Sequence, residues 1–141
     1  GPSTTLALVA AERLLTAGLR PGDRVVLAAA GSSDSRAVAD VERVSASLAE
    51  LLSTPVHIAF ASPPADGSGY PAVAQVVDRL RAGAGGRVAV ASYLLADGLF
   101  QRRLHDCGAD VVAAPLGLHG KIVDLACARA RSAVQAERIP G

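Results

Sequence analysis

Four short apolar runs alternate with longer helix-periodic segments along this chain, and nothing between neighbouring runs reads as a two-residue hairpin turn. The runs cover residues 24–30, 54–61, 87–95 and 110–114. Strands separated by helix-length segments cannot return as hairpins, so they run parallel through crossover connections. The order therefore predicts an α/β fold: a parallel sheet of about four strands with helices on both faces. Residues 24–30 are apolar at successive positions, as expected of a strand covered on both sides. Residues 87–95 are the most apolar run and belong near the middle of the sheet. In between, 34–52 places Val38, Val41, Val44, Leu48 and Leu51 along one helical side. Pro71 suits the first turn of a helix ending near Ala82. Further helices are predicted over 99–106 and 121–137. Ligands of such sheets bind beyond the carboxyl ends of the strands, which directs attention to loops 30–35, 61–70, 95–100 and 114–120.

A helix precedes the first strand. Ser3 or Thr4 is placed to cap it, Leu6, Val9, Ala10, Arg13 and Leu14 follow, and Gly18 ends it. This opening resembles the closing segment of the same chain. Gly1 meets Gly117, Leu6 meets Ile122, Val9 meets Leu125, Ala10 meets Ala126 and Arg13 meets Arg129. The separation is far too long for a solenoid repeat and suits a small domain. On that reading residues 1–18 are the closing helix of a preceding unit, and 19–141 form a second, complete one. Two unrelated alanine-rich amphipathic helices would produce a similar match.

Composition removes several function classes. A chain of 141 residues with a net charge of +1 carries neither a basic stripe for nucleic acid nor an acidic tail. Aromatic residues make up 3% and Trp is absent, which leaves little for stacking on bases or sandwiching a flavin. Gly, Pro or a charge interrupts every apolar run before it reaches the length of a membrane span. Two cysteines, Cys107 and Cys127, fit a reduced, cytoplasmic setting better than a disulfide scaffold.

Few residues offer chemistry. Gly31-Ser32-Ser33-Asp34-Ser35 follows the first strand and opens a helix, where backbone N–H groups and hydroxyls can hold a phosphate or carboxylate. It lacks the spaced glycines of a dinucleotide loop and the Gly-Lys-Ser/Thr of a triphosphate loop, and a plain Ser or Asp cap accounts for it equally well. His57 falls inside a strand run. His105 and Cys107 are two apart on a predicted helix and face different ways, a poor metal pair. His119 alone sits in a loop on the ligand side, and it is the one weak candidate for a metal ligand.

Three stretches taken together carry a resemblance. They are Val25-Val26-Leu27-Ala28-Ala29-Ala30-Gly31-Ser32-Ser33-Asp34, Ala91-Ser92-Tyr93-Leu94-Leu95-Ala96-Asp97-Gly98-Leu99-Phe100 and Ala114-Pro115-Leu116-Gly117-Leu118-His119. In this order they resemble the small sirohydrochlorin chelatases, the cobalt- and iron-inserting CbiX/SirB type, and in particular the C-terminal half of the two-domain actinobacterial form. The likeness runs from about Arg24 to Arg131. The family arises by duplication of one parallel α/β unit, which matches the repeat of the termini and makes 1–18 the end of a preceding chelatase-like unit. The resemblance implies a cytoplasmic lyase of cobalamin or siroheme synthesis, with a tetrapyrrole and a divalent metal, cobalt or iron, as substrates.

The sequence also departs from that pattern. Metal-binding members carry Gly-His-Gly-Ser after the first strand, where this chain has Ala29-Ala30-Gly31-Ser32. Their second histidine, in a Gly-Arg-His stretch, is matched here by Gly98-Leu99-Phe100. Metal insertion needs a ligand over the ring and a base for the pyrrole protons, and Ala30 and Phe100 supply neither. The expectation is a degenerate half, with no catalytic residue of its own, that walls one side of a cavity completed by a histidine-bearing homologous half or a homodimer. Tyr93, Leu95, Leu99 and Phe100 would face the ring, and Gly31, Ser32, Ser33 and Ser35 would bind its peripheral carboxylates. A non-catalytic tetrapyrrole- or anion-binding or dimerisation module of the same fold is the alternative.

Overall fold

The computed structural model describes residues 2–83, 86–94 and 98–117. Along these the order is α1 (Pro2–Ala17), β1 (Arg24–Ala29), α2 (Ser35–Leu52), β2 (Val56–Phe60), α3 (Val73–Ala82), β3 (Val88–Ser92), α4 (Leu99–His105) and β4 (Val111–Val112). The four strands form one sheet in the order β2-β1-β3-β4, parallel throughout. The predicted closing helix at 121–137 lies outside the described residues.

Alternation along the strands builds two cores, one on each face. Val25, Leu27 and Ala29 of β1 point to one side with Ala89 and Ala91 of β3 and Val111 of β4; there they meet Leu6, Ala7, Val9, Ala10 and Leu14 of α1 and Val41, Val44 and Leu48 of α2. Val26 and Ala28 point to the other side with Val88 and Val90, under Val73, Val76, Val77 and Leu80 of α3 and Leu104 of α4. The interior strands are accordingly apolar and buried from Val25 to Ala29 in β1 and from Val88 to Ala91 in β3, the pattern expected of strands covered on both faces. Small Ala89 and Ala91 lie beneath the α1 and α2 layer, and their size lets the helices come close to the sheet.

Helix α1 is part of this core. It lies against α2, β3 and β4, and Arg13 Nη2 donates to the carbonyl of Leu116 at 3.3 Å. At the far end Arg87 donates from Nη2 to the Gly18 carbonyl at 3.0 Å and from Nε to the buried carboxylate of Asp23, also at 3.0 Å, while Asp23 accepts from the Arg20 N–H. The turn from α1 into β1 is thus fastened to the entry of β3.

Two boundaries differ from expectation for identifiable reasons. Helix α1 starts at Pro2, which needs no N–H partner at a first turn, so Ser3 and Thr4 lie within the helix. Helix α3 starts at Val73 because Pro71 and Ala72 are extended: the Phe60 N–H donates to the Pro71 carbonyl at 2.8 Å, and Ala72 bridges to Phe60 as a short parallel continuation. Helix α2 ends at Leu52 as expected, capped by Ser53, a non-glycine in the left-handed region with φ 52°; Leu51, expected on the buried stripe, is exposed while Leu52 packs inward.

Candidate ligand-binding edge

The carboxyl ends of β1 and β2 are closed tightly against each other. Beyond the strand limits the Ala61 N–H donates to the Ala29 carbonyl at 2.7 Å and the Ser62 N–H to the Ala30 carbonyl at 2.9 Å. Gly31 follows with φ +120°, and a Cβ there would meet the Ser62 carbonyl oxygen at 2.1 Å. Only glycine fits, so the turn into the serine loop is set by covalent geometry as well as by pairing. Half-buried Ala30 follows the last residue of β1, at the position where the sequence resemblance implies a ligand histidine in metal-binding members.

The serine loop is largely occupied with its own folding. Ser32 Oγ accepts from the Asp34 N–H at 3.0 Å, and Asp34 Oδ1 accepts from the Arg36 N–H at 2.9 Å as the cap of α2. Asp34 thus places a carboxylate at the helix N-terminus where an anion would go. Ser33 and Ser35 are exposed there, and Ser32 is half-buried.

The loop after β2 folds onto an aromatic pair. Phe60, fully buried, meets the Tyr70 ring edge-on with centroids 5.7 Å apart, and Tyr70 donates its hydroxyl to Glu42 of α2 at 2.7 Å. That bond to a carboxylate pushes the Tyr70 phenol above its ordinary pKa. Ser68 donates to Asp66 in a tight turn and holds the Asp66 carboxyl below the usual range.

At the end of β3 the Tyr93 N–H donates to the Ala28 carbonyl at 2.8 Å, and the Tyr93 ring is half-buried against the α1 and α2 core. Leu99 and Phe100 open α4 and are among the few large apolar side chains left in solvent, at 56% and 37% exposure. The Arg103 guanidinium lies over the Phe100 ring, 5.5 Å from its centroid. The first turn of α4 therefore presents an apolar surface with a cation behind it. Leu95 and His119 lie outside the described residues.

One feature of this edge had no clear signature in the sequence. Ser92 and Gln101, each 2% exposed, are hydrogen-bonded at 2.7 Å, and Gln101 Nε2 donates to the Ala113 carbonyl at 3.0 Å. A serine ending the otherwise apolar Val88-Ala89-Val90-Ala91 run was the only available hint.

Among the described residues no group of three or more His, Cys, Asp or Glu side chains is placed to hold a metal. His57 is exposed on edge strand β2, and His105 is exposed at the end of α4. Cys107 is buried and free, and desolvation pushes its thiol above the ordinary pKa. No helix among the described residues is long and apolar enough to cross a membrane.

A search of curated proteins returned no match. Among solved structures, SirB from Bacillus subtilis with Fe3+ superposes with a TM-score of 0.63 at 23% sequence identity, over 90% of this chain and 52% of SirB. The chain thus spans about half the length of that protein, and at this identity the likeness concerns the fold. The sequence model of the CbiX family matches residues 24–133, from the first residue of β1 past the end of β4. With that match over most of its length, the chain belongs to the CbiX family.

Proposed function

We propose that this chain is one half of a sirohydrochlorin-type metallochelatase, the half that walls the tetrapyrrole cavity while a histidine-bearing homologous half holds the incoming divalent metal. The carrying observation is the pair Ala30 and Phe100. The resemblance to metal-binding members implies two ligand histidines, and at the matching positions this chain carries a methyl group after β1 and a phenyl ring at the start of α4.

The division of labour follows from the reaction. Placing a divalent ion into a free-base tetrapyrrole forms the metal–nitrogen bonds and releases two pyrrole protons, so the reaction needs both a ligand for the metal and a base for the protons. The partner supplies both. This half contributes what a large apolar disc needs: Leu99 and Phe100 in solvent to meet the ring, Tyr93 half-buried at the end of β3, and the hydroxyls and N–H groups of the Gly31, Ser32, Ser33 and Ser35 loop toward peripheral carboxylates. Asp34 limits the loop to hydroxyl and edge contacts, since its carboxylate already caps α2.

The repeat supports a two-unit origin. Leu6, Val9 and Ala10 of α1, which pair with Ile122, Leu125 and Ala126 in the sequence match, are all buried in the core of this unit. In this reading α1 descends from the closing helix of a preceding unit and is seated on the present one. Leu8 and Leu15, seven apart on α1, are both exposed and suit a partner surface.

The test is an anaerobic visible-absorbance titration of metal-free sirohydrochlorin with the chain alone and with a histidine-bearing CbiX half. The proposal expects a spectral shift with the chain alone that Phe100→Asp removes. No shift with either preparation would leave a dimerisation module of this fold as the better reading.

A further inference from the structure

Between the ligand edge and the α4 core lies a polar network that no step above uses. Ser92, the last residue of β3, donates its hydroxyl proton to Gln101 Oε1 at 2.7 Å and accepts the Leu94 N–H at 3.3 Å. Gln101 Nε2 donates to the Ala113 carbonyl at 3.0 Å, and lies 3.5 Å from His105 Nε2, which takes its second proton when that nitrogen carries the lone pair. The amide orientation has no alternative: the Ala113 carbonyl can only accept, so Nε2 must face it and Oε1 must face Ser92. Buried polar groups of this kind are tolerated because every member is satisfied.

The network joins three segments that reach the ligand edge. Through Ser92 and Leu94 it holds the exit of β3, and the Leu94 carbonyl in turn accepts the Leu116 N–H at 2.8 Å. Through Ala113 it holds the exit of β4. Through its own backbone it sets the rotation of the first turn of α4: with Gln101 directed inward, its neighbours Leu99 and Phe100 are turned outward. A leucine at position 101 would serve an ordinary core equally well, so the glutamine provides something besides burial.

We propose that Gln101 is a positioning residue that fixes the apolar wall of Leu99 and Phe100 against the loops leaving β3 and β4, and thereby sets affinity for the planar substrate. The inference rests on the reading of Phe100 as a ring-facing residue. Gln101 itself touches no substrate and acts through its neighbour.

Two arms test it on the full chain, using Gln101→Met, which keeps length and burial while removing every hydrogen bond, and Ser92→Ala as an independent variant. The first arm is amide hydrogen exchange without ligand. Leu94 and Leu116 should exchange about tenfold faster or more in both variants, while Ala61 and Ser62, bonded on the far side of the sheet edge, keep their rates. The second arm is a double-mutant cycle on sirohydrochlorin affinity. Gln101→Met and Phe100→Ala should each weaken binding about tenfold, and Gln101→Met in the Phe100→Ala background should add less than about twofold. A residue that merely stabilised the fold would give additive losses and would not be coupled to Phe100. Unchanged exchange at Leu94 and Leu116, or additive binding losses, overturns this proposal while leaving the wall reading intact. Absence of any spectral response from the wild-type chain overturns both.

Discussion

Leu14→Ala tests whether α1 is a structural member of this unit. Leu14 is fully buried in the core shared by α1, α2 and the sheet, whereas its neighbour Leu15 is 62% exposed on the same helix. Removing the Leu14 side-chain carbons forfeits about 2.4 kcal/mol of transfer free energy at roughly 0.8 per methylene, and an incompletely collapsed cavity raises the loss to about 3–4 kcal/mol. Leu15→Ala carries the same change in helix propensity with little burial and should cost about 0.5 kcal/mol or less. The difference between the two variants therefore isolates packing from propensity. In urea unfolding followed by far-ultraviolet circular dichroism, a slope of about 2 kcal/mol/M puts the Leu14→Ala midpoint lower by about 1.5–2 M. By heat it should melt about 12–16 °C earlier, at roughly 4 °C per kcal/mol for a chain of this size. Equal stabilities of the two variants, or a Leu14→Ala loss under about 1 kcal/mol, would refute the placement of α1 in the core.

Other perturbations reach the remaining joints. Gly31→Ala should cost more than about 2 kcal/mol, because a methyl group would collide with the Ser62 carbonyl at a positive φ, while Gly18→Ala, with open space around it, should lose only about 1 kcal/mol; paired chemical melts separate them. Ser53→Gly, at the left-handed end of α2, should stabilise the protein by about 0.5–1 kcal/mol in the same assay. Asp110 is held below its ordinary pKa first by the Val88 N–H and then by Arg81, with partial desolvation opposing. A depressed folded-state pKa contributes stability above the unfolded value near 3.8 that is lost as pH falls through the folded value. Asp110→Asn should therefore flatten the acid limb of the stability curve below about pH 4, and an unchanged limb would contradict that.

The architecture was legible because its signals are local and redundant. Val25 to Ala29 are apolar at every position, which only a doubly covered strand tolerates, and Asp34 precedes a clean helical stripe, so α2 and its cap were readable. The misplaced boundaries are those decided by distant partners. Pro71 reads as a helix opener until the Phe60 N–H claims its carbonyl, and β3 and β4 are shorter than their apolar runs because pairing, rather than composition, ends a strand. For the site the sequence offers residue identity alone: the proposal that Ala30 and Phe100 stand at histidine positions comes from the family resemblance and is independent of the local geometry. Hydrogen-bond accounting was not legible. Nothing in Ser32 or Asp34 announces that their oxygens serve the backbone of α2, and nothing in Ser92 and Gln101, nine residues apart, announces a shared buried bond. Such pairings exist only once the crossover has brought the residues together.

The most direct measurement of the central claim is the anaerobic rate of Co2+ insertion into sirohydrochlorin, compared between the chain alone, a histidine-bearing CbiX half alone and the two mixed. A unit that lines the cavity without a metal ligand leaves the uncatalysed rate unchanged by itself and raises the rate of the histidine-bearing half when the two are combined. Insertion by the chain alone above the uncatalysed rate would contradict the account and direct the search for a metal ligand to His119.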